Sequence, residues 1–367
     1  MPEGESAAQT NTGGDVMRWE TVPCDLCGAS EAEWLLNGID WEFGLSAELH
    51  VVECSQCGLI YLNPRPAPSS IHLIYPSRYG FFQESAGIRR LLKAAYSRIA
   101  APYPYLEGMK PGRILDVGCA TGTRNYPYGE NGSLRQLQRK GWDVSGSEPD
   151  ERAAEIARSY GISIHTGRLS DIASFAERFD VVRFNHVLEH SVSPTKDLAI
   201  AAALLKKDGR LIVSGPNIAS AAFSLFRKYW SGLDLPRHFY HFTPATLHKY
   251  CENAGLRIVG EYHDGTAVDF VHSMKHVLQS SEVSGRNSTC GESECAGENG
   301  RAHRFSPLSR VCGYLAVRSL VRFFNRMKVS DSYTVVAVRG HAAMPTKATG
   351  LAENAREALP QAASGWE

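Results

Sequence analysis

Short apolar runs recur along the chain from Arg113 onward, at 114–117, 142–147, 162–165, 180–184 and 210–214. Between and after them, near 133–140, 150–160, 195–206 and 244–254, apolar residues return every three to four positions, the spacing of one helical face. Strands alternating with amphipathic helices predict a parallel sheet covered by helices on both faces, an α/β domain. Ile88, Leu91, Leu92, Ala95 and Ile99 add a helix at 88–99, docked on that domain. Leu308, Val311, Leu315, Leu320, Val321 and Phe324 predict a helix over 307–328, and 333–338 follows as a late, antiparallel strand.

The rest of the pattern divides the chain. Residues 1–20 are polar and glycine-rich and read as disordered, and 21–68 form a small unit whose closing prolines, Asn63-Pro64-Arg65-Pro66-Ala67-Pro68, stop its last strand. A helical linker over 69–110 leads to the main domain at 111–340. Within it 280–303, rich in Ser, Gly, Glu and Asn, reads as a flexible insertion, and 341–367 as a disordered tail.

Composition narrows the function. With 367 residues, 43% of them apolar, the chain can bury a large core, and 39 basic against 39 acidic residues give no basic excess for nucleic acid. The N-terminus lacks the basic start and apolar run of a signal peptide, and no segment has the run of about 18 apolar residues a spanning helix needs. A cytoplasmic location is expected, and in a reducing compartment nine cysteines read as metal ligands or buried thiols.

Cys24-Asp25-Leu26-Cys27-Gly28 and Cys54-Ser55-Gln56-Cys57-Gly58 are two C-x-x-C-G units, the second set between strand-like stretches at 50–53 and 59–62. Two residues between thiols let a tight turn aim both sulfurs at one ion, and the glycine permits positive φ. Cys24, Cys27, Cys54 and Cys57 therefore predict a zinc ribbon with a closed, structural zinc site.

The chemistry gathers at the ends of the apolar strands. Arg113-Ile114-Leu115-Asp116-Val117-Gly118-Cys119-Ala120-Thr121-Gly122 is a strand entering a small-residue loop, where a nucleotide-like ligand can approach backbone. The next strand ends in Ser147-Glu148-Pro149, whose carboxylate can accept from both ribose hydroxyls. The fourth runs into Asn185-His186-Val187-Leu188-Glu189-His190.

On these motifs the sequence, from about residue 21 to 263, resembles the class I S-adenosylmethionine-dependent methyltransferases, and among them a group bearing an N-terminal zinc ribbon. The resemblance implies a Rossmann-like seven-stranded sheet preceded by the ribbon. It implies that Asp116, Gly118 and Gly122 hold the methionyl part of the cofactor and Glu148 the ribose. Leu169, within Gly167-Arg168-Leu169, flanks the adenine, and Asn185 and His186 close the pocket. Two departures stand out: Ala120 replaces a glycine, and an eight-residue stretch, 124–131, separates Gly122 from the following helix. The stretch is either a surface excursion, or one whose Tyr126 and Tyr128 fold over the cofactor or shape the acceptor pocket, or one that weakens cofactor binding.

Methyl transfer needs alignment and, for a hydroxyl or activated carbon, removal of a proton. His238, in Asp234-Leu235-Pro236-Arg237-His238-Phe239-Tyr240-His241, is the first candidate base, with His190 second. Arg237, Tyr240 and His241 are expected around the acceptor, Arg237 as a hook for an anionic group. Methyltransferases resembling this one often act on sugars or other secondary metabolites, so O- or C-methylation of such a small molecule is the leading expectation. RNA methylation and a non-catalytic methyltransferase-like module are the alternatives. His186-Val187-Leu188-Glu189-His190 also fits a zinc-peptidase pattern, but that chemistry needs a long helix, and here a strand enters the motif. Segment 301–340 holds eight Lys/Arg against Asp331 alone. Its helix is read as a connector packed by its apolar face, with peripheral membrane contact through 307–328 as the alternative.

Overall fold

The computed structural model describes residues 16–45, 47–75, 103–126, 131–172, 178–286 and 307–340. The expected helix at 88–99, Tyr128, the tail and most of the 280–303 insertion lie outside them.

Three sheets form. Strands β2 (Ala32–Gly38), β3 (Leu49–Cys54) and β4 (Ile60–Leu62) make an antiparallel meander, while β1 (Trp19–Glu20) pairs with β5 (Arg65–Pro66). Ordered chain thus reaches into the segment read as disordered from composition, because Trp19 and Glu20 lie in register against Pro66 and Arg65. The main sheet contains β6 (Arg113–Val117), β7 (Asp143–Glu148), β8 (Ser163–Thr166), β9 (Phe179–Asn185) and β10 (Leu205–Pro216), all paired in parallel. A two-residue strand, β11 (Tyr240–His241), comes next in the chain. The main sheet is completed by β12 (Leu256–His263) and β13 (Ser332–Arg339) in the order β12-β13-β10-β9-β6-β7-β8, with β13 antiparallel to both neighbours. This is the seven-stranded α/β sheet that the resemblance implies; the apolar pattern gives its five parallel strands and β13, and misses β12. Ile114, Leu115, Val181, Val182, Leu211 and Ile212 are buried because helices cover both faces, so these central strands read as unbroken apolar runs rather than alternations.

Local capping sets the helices. Ser133 caps α1 (Leu134–Arg139), Asp150 caps α2 (Glu151–Ser159) through the Ala153 N–H at 2.9 Å, and Ser193 caps α3 (Pro194–Leu204). After the short α4 (Ala221–Phe226), Thr243 and Thr246 form a capping box at the start of α5 (Pro244–Asn253), with Pro244 in its first turn. Helix α6 (Ala267–Arg286) extends into the segment read as an insertion from residue 280, and α7 (Pro307–Arg326) leads to β13.

The cysteine-bearing sheet is no appendage. β11 pairs antiparallel with β4, so residues that follow the fifth parallel strand complete the N-terminal sheet. One apolar core runs from Leu49, Val51, Leu59 and Leu62 through Trp230 and Phe239 to Val213 and Phe184. Polar contacts reinforce it: Asp25, inside the first cysteine turn, accepts from the Thr195 N–H (2.9 Å) and the Ser193 hydroxyl (2.6 Å) at the start of α3. Buried Arg65 donates to the Val192 carbonyl and the Tyr240 hydroxyl, each at 2.8 Å.

Candidate active site

At the carboxyl edge of the sheet the loop after β6 turns on three left-handed residues, Gly118 (φ +63°), Ala120 (φ +47°) and Gly122 (φ +65°). A Cβ on Gly118 would lie 2.7 Å from Val187, and one on Gly122 2.7 Å from Ile162, so both positions require glycine. Ala120 pays a steric cost for the same conformation. Its N–H donates to Glu148 Oε2 at 2.8 Å, and the Asp150 N–H donates to Oε1 at 2.9 Å. Glu148 is buried, and burial raises its carboxyl above the usual range. Each oxygen keeps a lone pair beyond its backbone donor, which fits a ribose diol. The backbone-exposing loop and this carboxylate fit S-adenosylmethionine. Leu169 is buried behind them, opening a short 3₁₀ turn.

Asp116 does something the resemblance did not imply. Its carboxylate is clamped by buried Arg183, which donates through Nε at 2.8 Å and through Nη2, and Arg183 Nη1 donates to the Gly132 carbonyl at 2.7 Å. Asp116 is therefore an anchor tying β6, β9 and the end of the 124–131 stretch together. Within the stretch, Tyr126 turns inward: its ring meets His186 edge-on at 4.9 Å, its carbonyl accepts from Asn185 Nδ2 at 3.0 Å, and its hydroxyl bonds Asp269 on α6.

Beyond β9 the backbone makes a left-handed residue at His186 (φ +55°), then a single 3₁₀ turn, Leu188–His190. One turn cannot present two histidines as a peptidase helix does. Instead it sends Glu189 inward, where both carboxylate oxygens are buried and no hydrogen-bond partner meets them among the described residues. Around this carboxylate stand His186 Nδ1 at 3.6 Å, His238 Nε2 at 3.9 Å, and His190, whose ring lies edge-on to His238 at 4.6 Å. Donor atoms of Glu189, His190 and His238 lie within 4.8 Å of one another. His238 Nδ1 bonds the Gly232 carbonyl at 2.9 Å, so that nitrogen carries the proton and Nε2 presents its lone pair toward Glu189 and Asp234. Burial holds His186, His190 and His241 down at about 3 and lowers His238, so all are neutral near pH 7. Burial, with Asp234 nearby, pushes Glu189 up to about 8.

The segment 234–241 carries the remaining expected residues, two of which face elsewhere. Arg237 is 1% exposed and donates to Asp234 (2.6 Å) and Asp40 (2.8 Å). Two carboxylates hold its Nε and Nη2, so it clamps Asp40 to Asp234, while its buried Nη1 meets no hydrogen-bond partner among the described residues. Successive residues of a strand point to opposite faces, so on β11 Tyr240 turns to Arg65 and the N-terminal sheet while His241 turns toward His238, with 6.4 Å between ring centroids. Tyr240 thus leaves the acceptor side. Glu189 and Asp234 stood inside the quoted motifs without a role and Arg183 was not singled out; the available signal for Arg183 was a charged residue between Val182 and Phe184 in β9.

The four cysteines converge as their spacing predicts. Cys24 and Cys57 sulfurs stand 3.4 Å apart and those of Cys27 and Cys54 3.6 Å, too far for disulfides and close to the edge of about 3.8 Å of a tetrahedron with zinc–sulfur bonds of about 2.3 Å. Gly28 and Gly58 both take positive φ, and their N–H groups return to the Cys24 and Cys54 carbonyls. This donor set fits zinc.

Comparison with known proteins agrees with the geometry. A methyltransferase-domain family model matches residues 86–261. The ubiquinone biosynthesis O-methyltransferase of Cereibacter sphaeroides is 28% identical over 207 residues, covering 53% of this chain and 76% of that protein. The Haemophilus ducreyi enzyme of the same name is 29% identical over 208 residues, covering 53% and 77%. A SAM-dependent methyltransferase from Archaeoglobus fulgidus aligns with a TM-score of 0.41 and 18% identity, over 69% of this chain and 95% of that one. With the glycine loop and the buried acid after β7 falling inside the matched segment, the chain carries an S-adenosylmethionine-dependent methyltransferase domain.

Proposed function

We propose that the protein O-methylates a hydroxyl of a small molecule held over the 186–190 turn, with His238 Nε2, beside Glu189, taking the hydroxyl proton. The carrying observation is the buried, unpartnered Glu189 carboxylate beside a His238 nitrogen whose lone pair faces it. Bound S-adenosylmethionine supplies a methyl group on a sulfonium. The chain aligns the acceptor oxygen with that methyl, excludes water by the Tyr126–His186 contact, and removes the proton at His238 Nε2. The relatives' names favour an oxygen acceptor over a carbon one. A sugar or another secondary metabolite remains the acceptor class we propose. Because two carboxylates already hold Arg237, acceptor screens should include neutral and phenolic hydroxyl compounds beside nucleotide sugars.

Cys24, Cys27, Cys54 and Cys57 are proposed to hold a structural zinc, with His190, His241, Asn185 and His186 lining the acceptor and cofactor pockets. The test is methyl transfer from labelled S-adenosylmethionine by the wild type and His238→Ala, together with metal analysis. A fall in turnover of about 10²–10⁴-fold with unchanged cofactor affinity supports the base, and undiminished turnover removes it. One zinc per chain that disappears in Cys54→Ser supports the thiol site. A second bound metal that disappears only in Glu189→Gln would assign the carboxylate–histidine cluster to a cation instead.

A further inference from the structure

The turn that carries Glu189 and His190 is too short to hold itself. A single 3₁₀ turn, Leu188–His190, is followed by residues 191–193 and then by α3, so its place depends on how the start of α3 is fixed. Asp25, from inside the first C-x-x-C-G unit, fixes it. The Ser193 hydroxyl donates to Asp25 Oδ1 (2.6 Å), the Thr195 N–H to Oδ2 (2.9 Å), and the Thr195 hydroxyl to the Asp25 carbonyl (2.8 Å). With its proton directed at Asp25, the Ser193 oxygen keeps its lone pairs for the Lys196 N–H, which it caps at 3.4 Å. The Thr195 N–H belongs to the first helical turn, whose donors have no partner within the helix, and a carboxylate there also meets the positive end of the helix dipole. Asp25 is thus a cap for α3 supplied from 168 positions away.

The link continues into the site. Between the cap and the turn, the Val192 carbonyl accepts from Arg65 at 2.8 Å. His190 Nδ1 meets the Arg237 carbonyl at 3.1 Å and the Tyr75 hydroxyl at 3.0 Å. A carbonyl can only accept, so Nδ1 carries the proton and Nε2 keeps a lone pair. This orientation holds only while the chain leading to Ser193 stays in place.

We propose that Asp25 is a positioning residue for the acceptor end: by capping α3 it fixes the 186–190 turn, and with it Glu189 and His190 beside His238. Resting on the reaction site proposed above, this gives the cysteine unit a part in methyl transfer beyond stability. Asp25 lies between Cys24 and Cys27, so closure of the proposed zinc site would hold the cap in position.

The test is amide hydrogen exchange of the full, zinc-loaded chain with S-adenosylhomocysteine bound, for the wild type, Asp25→Ala, Asp25→Asn and Tyr250→Phe. The readout is the His190 and Ser191 amides, which bond the Val187 and Leu188 carbonyls inside the turn (3.0 and 3.1 Å) and not Asp25. In Asp25→Ala they should exchange at least about tenfold faster, with zinc content and S-adenosylhomocysteine affinity unchanged. Asp25→Asn keeps one acceptor oxygen and should restore part of the protection. In protein labelled with ¹⁵N-histidine, the His190 signal, identified by its absence in His190→Gln, should change in Asp25→Ala from a fixed Nδ1–H tautomer to a mixture. Tyr250→Phe removes a different donor to Asp25 Oδ2 (3.1 Å), and should leave the turn protected. Unchanged exchange at His190 and Ser191 in Asp25→Ala overturns the inference. So does equal loosening by Tyr250→Phe, which would reduce the effect to general packing. If Asp25→Ala loses S-adenosylhomocysteine binding, Thr195→Val, which removes only the bond to the Asp25 carbonyl, should still speed exchange by about threefold, and wild-type exchange there overturns the inference. None of these readouts uses an acceptor, so failure of the proposed base, seen as undiminished turnover in His238→Ala, is a separate result.

Discussion

The cofactor end and the acceptor end share one sheet edge but are assembled in opposite ways. The cofactor end is local: Gly118, Ala120, Gly122 and Glu148 come from two consecutive strand–loop units, and the Ala120 N–H meets the Glu148 carboxylate directly. The acceptor end is collected from afar. Glu189, Asp234, Arg237 and Asp40 meet across a wall that includes a strand of the N-terminal sheet. A local site depends on loop conformation, whereas a collected one depends on every segment that holds it.

The sharpest way to break this contrast is Arg237→Met. It leaves Asp40 and Asp234 buried without their counter-charge, and chemical denaturation should show a loss of about 3–5 kcal/mol. Because Asp40 also accepts from the Glu42, Phe43 and Leu45 N–H groups, the damage should spread into the N-terminal unit, and methyl transfer should fall more than cofactor affinity. Loss of both in proportion would mean that the two ends are one cooperative unit.

Glu148→Ala probes the other side. If its carboxylate accepts from the ribose hydroxyls, its removal should weaken S-adenosylhomocysteine binding by about 10–100-fold in calorimetry, with the acceptor end unchanged. Unaltered affinity would place the ribose elsewhere.

A pH series separates the ends next. Native Glu189 keeps its proton up to about 8, whereas its unfolded value is 4.5, so over that interval the native state holds one more proton than the unfolded state. Its contribution to stability is present at low pH and is lost as pH rises toward 8, by at most about 1.4 kcal/mol per unit. Glu189→Gln should abolish this component, so its unfolding free energy should gain on the wild type from about pH 5 to about pH 8. Parallel curves would show that the carboxylate is already ionised in the fold. The smallest effect belongs to Ala120→Gly, which relieves a left-handed alanine and should stabilise the protein by about 1 kcal/mol in thermal unfolding.

Several features were legible because their cause is local. The parallel strands show as apolar runs, Thr243 and Pro244 announce α5, and the C-x-x-C-G spacing brings Gly28 and Gly58 to positive φ. Helix α6 was missed because Phe270 and Val277 on its packed side and Val268, Val271, Met274 and Leu278 on its exposed side blur the single-face periodicity. Arg237 looked like a free cation because its second partner, Asp40, lies 197 positions away and nothing in Asp234-Leu235-Pro236-Arg237 shows that the chain turns Asp234 back onto it. Tyr240 looked like an acceptor contact because a two-residue strand gives too little pattern to show which face it takes.

Short-range sterics and periodicity are written in neighbouring residues, so the sequence by itself determined the α/β sheet, the left-handed glycine loop with its acid after β7, and the paired cysteine turns. Only the tertiary structure decided that the cysteine-bearing sheet takes a strand from the catalytic domain, that Arg183 claims Asp116, and that Glu189 is left buried among neutral histidines. Those outcomes depend on which distant charges and lone pairs meet once water is excluded, and desolvation of a group is a property of everything packed around it.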